Sequence, residues 1–280
     1  MSESKIPKKI VVALDGSATA QNAAEIAMHI AKTETYLVEA YYIVDEPMIL
    51  DPYTDYAKEL GKDLEVASRS QLIEQFETLG FSILDQFQTT CGERGVPVIT
   101  KVLVGGVPEM ILERAQDISF LALGRRGNSH TSNTDYLGEN FRQIAHNAKV
   151  PLIIGSDIYA PIKRLFLVYD GSPKADLALK LALQFEQLFS AKATIGLTGH
   201  MYLAEDPDAL PFRLSEGGIE KGNIVDLRSK PVSKVVNMIA QEQSDLIIMG
   251  AYHHPEIMEW LVGSPNDQIL KQSPIPAVIA

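Results

Sequence analysis

FLALGRRGNSHTSNTDYLGENFRQIAHNAKVPLIIG, residues 120–155, reads as an apolar strand, a loop carrying Gly124, Gly127 and Gly138, a helix, and a second short strand opened by Pro151. The same grammar returns at residues 246–280 as LIIMGAYHHPEIMEWLVGSPNDQILKQSPIPAVIA. Gly124 corresponds to Gly250, Gly138 to Gly263 and Pro151 to Pro276, with a spacing of 13 from the last glycine to the proline in both copies. A glycine-rich turn that leaves a buried strand and feeds a helix suits an anion, because unpaired helix N–H groups and the positive end of the dipole face the loop.

Upstream, Lys9 to Asp15 (KIVVALD) is an apolar run closed by an acid, as expected of a parallel strand buried on both faces. Gly16-Ser17 makes the turn and Ser17 caps the next helix, whose Ala20, Ala23, Ala24, Ala27 and Ala31 form a small-residue face. Strands are expected over Tyr36–Val44 and Val96–Val104, with a long helix from Tyr56 to about Thr90 between them. A turn at Gly105-Gly106-Val107-Pro108 leads into the next helix. After a link at residues 156–162 the pattern restarts. Arg164 to Asp170 (RLFLVYD) repeats KIVVALD, and Asp-Gly-Ser stands at both 15–17 and 170–172. Strands follow over Ala193–Thr198 and Asn223–Leu227. Alternating strands and helices imply a parallel, doubly wound sheet in each copy. The copies differ most where 50 residues between Asp45 and Val96 become 24 between Thr198 and Asn223. That shorter segment holds Pro207, Pro211, Gly217 and Gly218, and is expected to be mostly loop and less ordered than the long helix.

The chain of 280 residues is long enough for two ordinary domains. A net charge of −11 argues against a nucleic-acid or anionic-membrane surface. Met1 to Lys9 is polar, and no apolar run approaches the roughly 20 residues that span a bilayer, so the cytoplasm is the expected location. Cys91, the one cysteine, excludes an intrachain disulfide and reads as an inert helix residue. His253-His254 lacks an acid or cysteine at metal-ligand spacing. Arg125 and Arg126 read as solvated loop charges, and Trp260 as helix core.

The duplicated strand–Asp-Gly-Ser–helix opening, the Gly106-Val107-Pro108 turn and the glycine loop with its trailing proline strand resemble the universal stress protein family, and specifically its tandem two-domain members. The resemblance covers about residues 8–280. It implies two flavodoxin-like, Rossmann-like α/β domains, residues 1–156 and 157–280. It also implies an internal pseudo-dimer in which Leu152–Gly155 runs antiparallel to Ala277–Ala280. Many such proteins bind ATP or AMP through Gly-x2-Gly-x9-Gly-Ser/Thr; others have lost it. Carried over residue by residue, the resemblance puts the nucleotide-touching acid on Asp15 and Asp170. It puts an adenine-lining residue on Ile43, and the motif on Gly124, Gly127 and Gly138 in the first copy and on Gly250, Gly263 and Ser264 in the second.

Both copies depart from the pattern. The first has Gly-x2-Gly-x10-Gly, with Glu139 where Ser or Thr would meet phosphate. The Glu139 carboxylate is expected at the start of the next helix, accepting from its free N–H groups as a built-in anion. In the second copy His253 replaces the second glycine, and Pro265 after Ser264 removes one N–H. The reading is a non-enzymatic stress-response protein, with an ATP or AMP site better preserved in the first copy. Its expected partners are an adenine nucleotide and an unidentified protein, with further homo-oligomers open, and no nucleic acid or membrane. The alternative is a nucleotide-free regulatory or interaction protein. A slow ATPase is the weaker third option, since no catalytic base is legible.

Overall fold

The computed structural model describes residues 8–49, 66–127, 137–198, 223–251 and 264–280. The chain divides by packing into two compact units, one made of the described residues up to Gly127 with Gly138–Val150, the other of Leu137 with Pro151–Ala280.

In the first unit β1 (Lys9–Ala13), β2 (Leu37–Asp45), β3 (Val98–Gly105) and β4 (Phe120–Gly124) form a parallel sheet in the order β3-β2-β1-β4. Ile10, Val11 and Val12 are wholly buried, as a central strand covered on both faces requires. The helices are α1 (Ala18–Glu34), α2 (Val66–Arg94), α3 (Val107–Arg114) and α4 (Glu139–Asn147). The alanine face of α1 is buried as its spacing demands. The long helix ends at Arg94, and Gly95 at φ 71° turns the chain into β3. The part of that helix expected before Val66 lies outside the described residues.

In the second unit the order is β5-β10-β9-β6-β7-β8, from β5 (Leu152–Gly155), β6 (Arg164–Tyr169), β7 (Lys192–Leu197), β8 (Ile224–Asp226), β9 (Leu246–Met249) and β10 (Ala277–Ile279). Its helices are α5 (Pro173–Phe189), α6 (Val232–Gln241) and α7 (Pro265–Gln272). All its pairings are parallel except one: β5 runs antiparallel to β10, with Leu152 opposite Ile279 and Ile154 opposite Ala277. The two short apolar strands that end the sequence repeats are therefore neighbours, as expected from the hazard of leaving such edges uncovered. The segment at 199–222, expected to be mostly loop, lies outside the described residues.

The two copies stop their first helices in the same way. Thr35 after α1 and Ser190 after α5 sit in the left-handed region at φ 58° and 49°. That conformation costs a residue with a Cβ roughly 1–2 kcal/mol, and a β-branched threonine has no compensation. Thr35→Gly is therefore expected to stabilise the chain by about 0.5–1 kcal/mol, after allowing for the glycine's greater freedom when unfolded. A rise in the urea midpoint at unchanged slope is the expected readout; a fall counts against the cap argument.

Candidate functional site

Each Asp-Gly-Ser stretch folds as an aspartate turn joined to a helix cap. Oδ1 of Asp15 accepts from the Ser17 N–H at 2.9 Å, Gly16 takes φ 80°, and Ser17 Oγ accepts from the Ala20 N–H at 3.1 Å. The second copy repeats this with Asp170, Gly171 at φ 79°, Ser172 and Ala175. One carboxylate oxygen of each acid is thus committed to the turn.

The remaining oxygen of Asp15 faces the glycine loop. A Cβ added to Gly127 would lie 3.0 Å from Asp15 Oδ2, so a side chain there would fill the space beside the carboxylate. In the sheet, β2 and β3 lie to one side of β1 and β4 to the other. The turns after β1 and β4 therefore flank the point where the winding reverses, the usual crevice for ligands in open α/β sheets. Asp15 closes the first of those strands and Gly124 to Gly127 the second.

Gly124 serves packing. An added Cβ would stand 2.5 Å from Thr19 Oγ1 and 2.8 Å from the Ala20 nitrogen, so the first turn of α1 rests directly on the end of β4. Thr19 Oγ1 then donates to the Arg126 carbonyl at 2.7 Å. Gly138 donates its N–H to the Arg125 carbonyl at 3.0 Å, which hangs the start of α4 from the same loop. With its backbone pinned at both residues, the loop carries its arginines inward. Arg125 and Arg126 are 3% and 7% exposed, which corrects their reading as solvated charges.

Glu139 does not act as a built-in anion. The cap of α4 is Gly138, and Glu139 is already the first helical residue, with an exposed side chain. Its carboxylate accepts only from Gln143 Nε2, at 3.4 Å. In the second copy the cap falls one position later in the motif, on Ser264, whose Oγ accepts from the Asp267 N–H at 3.1 Å. That cap bond uses the hydroxyl as an acceptor, while Pro265 supplies no N–H to the group that would cradle a phosphate. Gly250 packs as Gly124 does, its added Cβ 2.6 Å from the Lys174 carbonyl carbon. His253 and Gly263 lie outside the described residues. Ile43 is half-buried near the end of β2, on the sheet face opposite Tyr42.

The sequence reading missed Tyr42 and Asp45. Tyr42 is 7% exposed, and its ring lies where a Cβ on Gly80 of α2 would stand. Burial first, and the charge of Asp15 second, hold its hydroxyl above the ordinary phenol range. Asp45, the last residue of β2, accepts from Asn140 Nδ2 of α4 at 3.1 Å and from the Met48 N–H at 3.3 Å. An acid one strand from the glycine loop has no local motif, so only the fold could reveal it. Among the described residues, no group of three or more His, Cys, Asp or Glu could hold a metal ion. Among them, no helix is long and apolar enough to cross a membrane.

The family model described as the universal stress protein family matches residues 7–154 and again 161–280. A relative, universal stress protein Slr1230 of Synechocystis sp. (strain ATCC 27184 / PCC 6803 / Kazusa), is 21% identical over 291 residues, covering 97% of this chain and 99% of its own. Among solved structures, a universal stress protein from Archaeoglobus fulgidus DSM 4304 is similar with a TM-score of 0.74 at 17% identity, over 97% of this chain and 95% of that one. A putative universal stress protein from Pseudomonas aeruginosa UCBPP-PA14 gives 0.66 at 12% identity, over 98% and 92%. At these identities the structures speak for the fold, and the two family matches speak for descent. The chain belongs to the universal stress protein family, which it matches twice in tandem.

Proposed function

We propose that this protein binds an adenine nucleotide, ATP or AMP, in its first repeat, and acts in the stress response by binding rather than by catalysis. We read residues 1–156 and 157–280 as its two domains and the cytoplasm as its location. The observation that carries the reading is the pairing of Asp15 Oδ2 with the side-chain-free Gly127 at the crevice between β1 and β4. An accepting carboxylate beside open backbone suits a nucleoside, whose hydroxyl and amine groups donate. Asp15, the backbone of Gly127 and Gly138, and Ile43 are the groups that would hold it. In the second repeat His253 stands where the second glycine would be and Pro265 supplies no N–H, so that copy is assigned no nucleotide.

The second reading, a nucleotide-free regulatory protein, is favoured by Glu139, whose exposed negative charge stands at the start of α4 and opposes a phosphate. Calorimetric titration with ATP and AMP decides between them. One site per chain is expected. Asp15→Asn keeps the Oδ1 acceptor of the turn and removes the charge, and should weaken binding about tenfold, since 1.4 kcal/mol is a factor of ten. Asp170→Asn should leave affinity unchanged. No binding to the native chain, or loss through Asp170 alone, would overturn the assignment.

A further inference from the structure

The start of α4 is tied to the ends of two strands, β4 and β2. In the strand order β2-β1-β4, β1 stands between its two neighbours, and β2 and β4 are about 10 Å apart, two strand spacings. Gly138 is tied to the chain just beyond β4 through the Arg125 carbonyl. Two residues later Asn140 reaches Asp45 at the end of β2, 3.1 Å from Nδ2 to Oδ2. The first turn of α4 therefore links the chain beyond β4 to the end of β2, with Asp45 on the far side of β1 from the glycine loop.

Among the described residues, the second copy holds the start of its helix by another contact. Asn266, one motif position later but likewise the second residue of its helix, donates through Nδ2 at 2.9 Å to the Gly250 carbonyl, just beyond β9. The helix there is tied to the strand that leads into it. Among the described residues, Asn140 in the first copy reaches an acid two strands away.

Asp45 has capacity left. An ionised carboxylate offers about four lone-pair positions. Asn140 takes one on Oδ2 and the Met48 N–H one on Oδ1. The residue is half-buried, at the end of its strand, and these two bonds leave lone-pair positions for a further donor. Because a carboxylate only accepts, Asn140 must present its amide NH2, and that contact fixes the direction in which the other lone pairs point.

We propose that Asp45 is a specificity-determining acceptor for the nucleoside, oriented by Asn140 as a positioning residue. This rests on the nucleotide reading above and adds to it which nucleosides the site takes. A carboxylate at this edge selects a ligand that presents hydrogen-bond donors and rejects one that presents an acceptor or nothing. Two parts of a nucleoside supply such donors, the exocyclic amine of adenine and the ribose hydroxyls. An acid at the end of the second strand that reads ribose hydroxyls is an established solution in dinucleotide folds. A site built to pair a polar group rejects the analogue lacking it, because its own acceptor is then left desolvated.

The test is calorimetric titration of the full chain with adenosine, 2′-deoxyadenosine and inosine, for the native protein and for Asp45→Ala, Asp45→Asn and Asn140→Ala. The native chain should prefer adenosine over at least one analogue by tenfold or more. Preference over inosine identifies the amine as the donor, and preference over 2′-deoxyadenosine the hydroxyl. Asp45→Ala should bring the affinities for adenosine and the disfavoured analogue to within about twofold. Asp45→Asn keeps the side-chain shape and should cut the preference to threefold or less. Asn140→Ala leaves the carboxylate and should keep part of the preference while weakening adenosine a few-fold, an effect a purely structural contact would spread evenly over all three ligands. Adenosine that binds with no discrimination against either analogue overturns this proposal and leaves the nucleotide reading intact. So does a preference that survives Asp45→Ala. Adenosine that fails to bind the native chain overturns both.

Discussion

Replacing Gly124 by alanine is expected to destabilise the chain by about 3 kcal/mol, at the upper end of overpacking. Its new Cβ would stand 2.5 Å from Thr19 Oγ1 and 2.8 Å from the Ala20 nitrogen, and neither can yield. Thr19 is held by its bond to the Arg126 carbonyl, and the Ala20 N–H by the Ser17 cap. The only relief is to lift α1 from the end of β4, which opens a core where Ala23, Ala27 and Ile26 are wholly buried. Gly250→Ala should cost at least as much, because its three nearest contacts, at 2.6 to 2.8 Å, are all backbone atoms of Lys174 and Ala175. Gly138 should behave in the opposite way. It sits at φ −57° and ψ 147°, an ordinary cap conformation, and the nearest atom to an added Cβ is 3.5 Å away. Gly138→Ser supplies the cap that α4 lacks and restricts the unfolded chain, so it should stabilise by about 0.5–1 kcal/mol. Urea unfolding of the three variants gives the signs directly. If alanine at 124 is as well tolerated as serine at 138, close packing is not what Gly124 is for.

This contrast shows where the sequence was readable. Local chemistry sufficed for the strands, the Ser17 and Ser172 caps and the repeat, because each depends on residues within one turn or one strand. The glycine motif was legible as a motif but not as three different jobs. Gly124 gives way to a helix, Gly127 borders a carboxylate, and Gly138 is a cap that tolerates a side chain. None of the three has a positive φ, so the backbone freedom for which glycine is usually chosen is not the reason for any of them. Arg125 and Arg126 are buried, and the Arg126 carbonyl is held by Thr19, 107 residues earlier in the chain, a contact that no local window contains. The misreading of Glu139 was one of side-chain direction. Spacing put it in the first turn of the helix, where it stands, but its side chain is exposed and meets Gln143 rather than the backbone N–H groups. Asp45 and Asn140, 95 residues apart, meet only in the folded chain, where the start of α4 reaches the end of β2.

Cys91 should make the fold sensitive to alkali. Its thiol is wholly buried in α2, and burial pushes its pKa from an ordinary 9.0 up to about 11. Arg94 pulls the value down and Glu25 pushes it up; the two are ion-paired with each other through both guanidinium nitrogens, so their charges largely offset. The folded pKa is the higher one, so the unfolded chain releases this proton first. The favourable contribution of the buried neutral thiol is fully present below pH 9, and is lost as pH rises from about 9 through about 11. Two pH units of separation correspond to about 2–3 kcal/mol, since each unit is 1.36 kcal/mol. Tyr41, pushed to about 12 by burial and by its hydrogen bond to Glu39, adds a second loss that begins nearer pH 10. Cys91→Ala separates the two. The variant has a small cavity and should be less stable than the native chain at pH 8, yet it should lose less stability between pH 9 and 11, by the same 2–3 kcal/mol. Urea unfolding at intervals from pH 8 to 11 gives both curves. Parallel curves would mean that the thiol ionises as readily in the fold as out of it, and that its burial carries no electrostatic consequence.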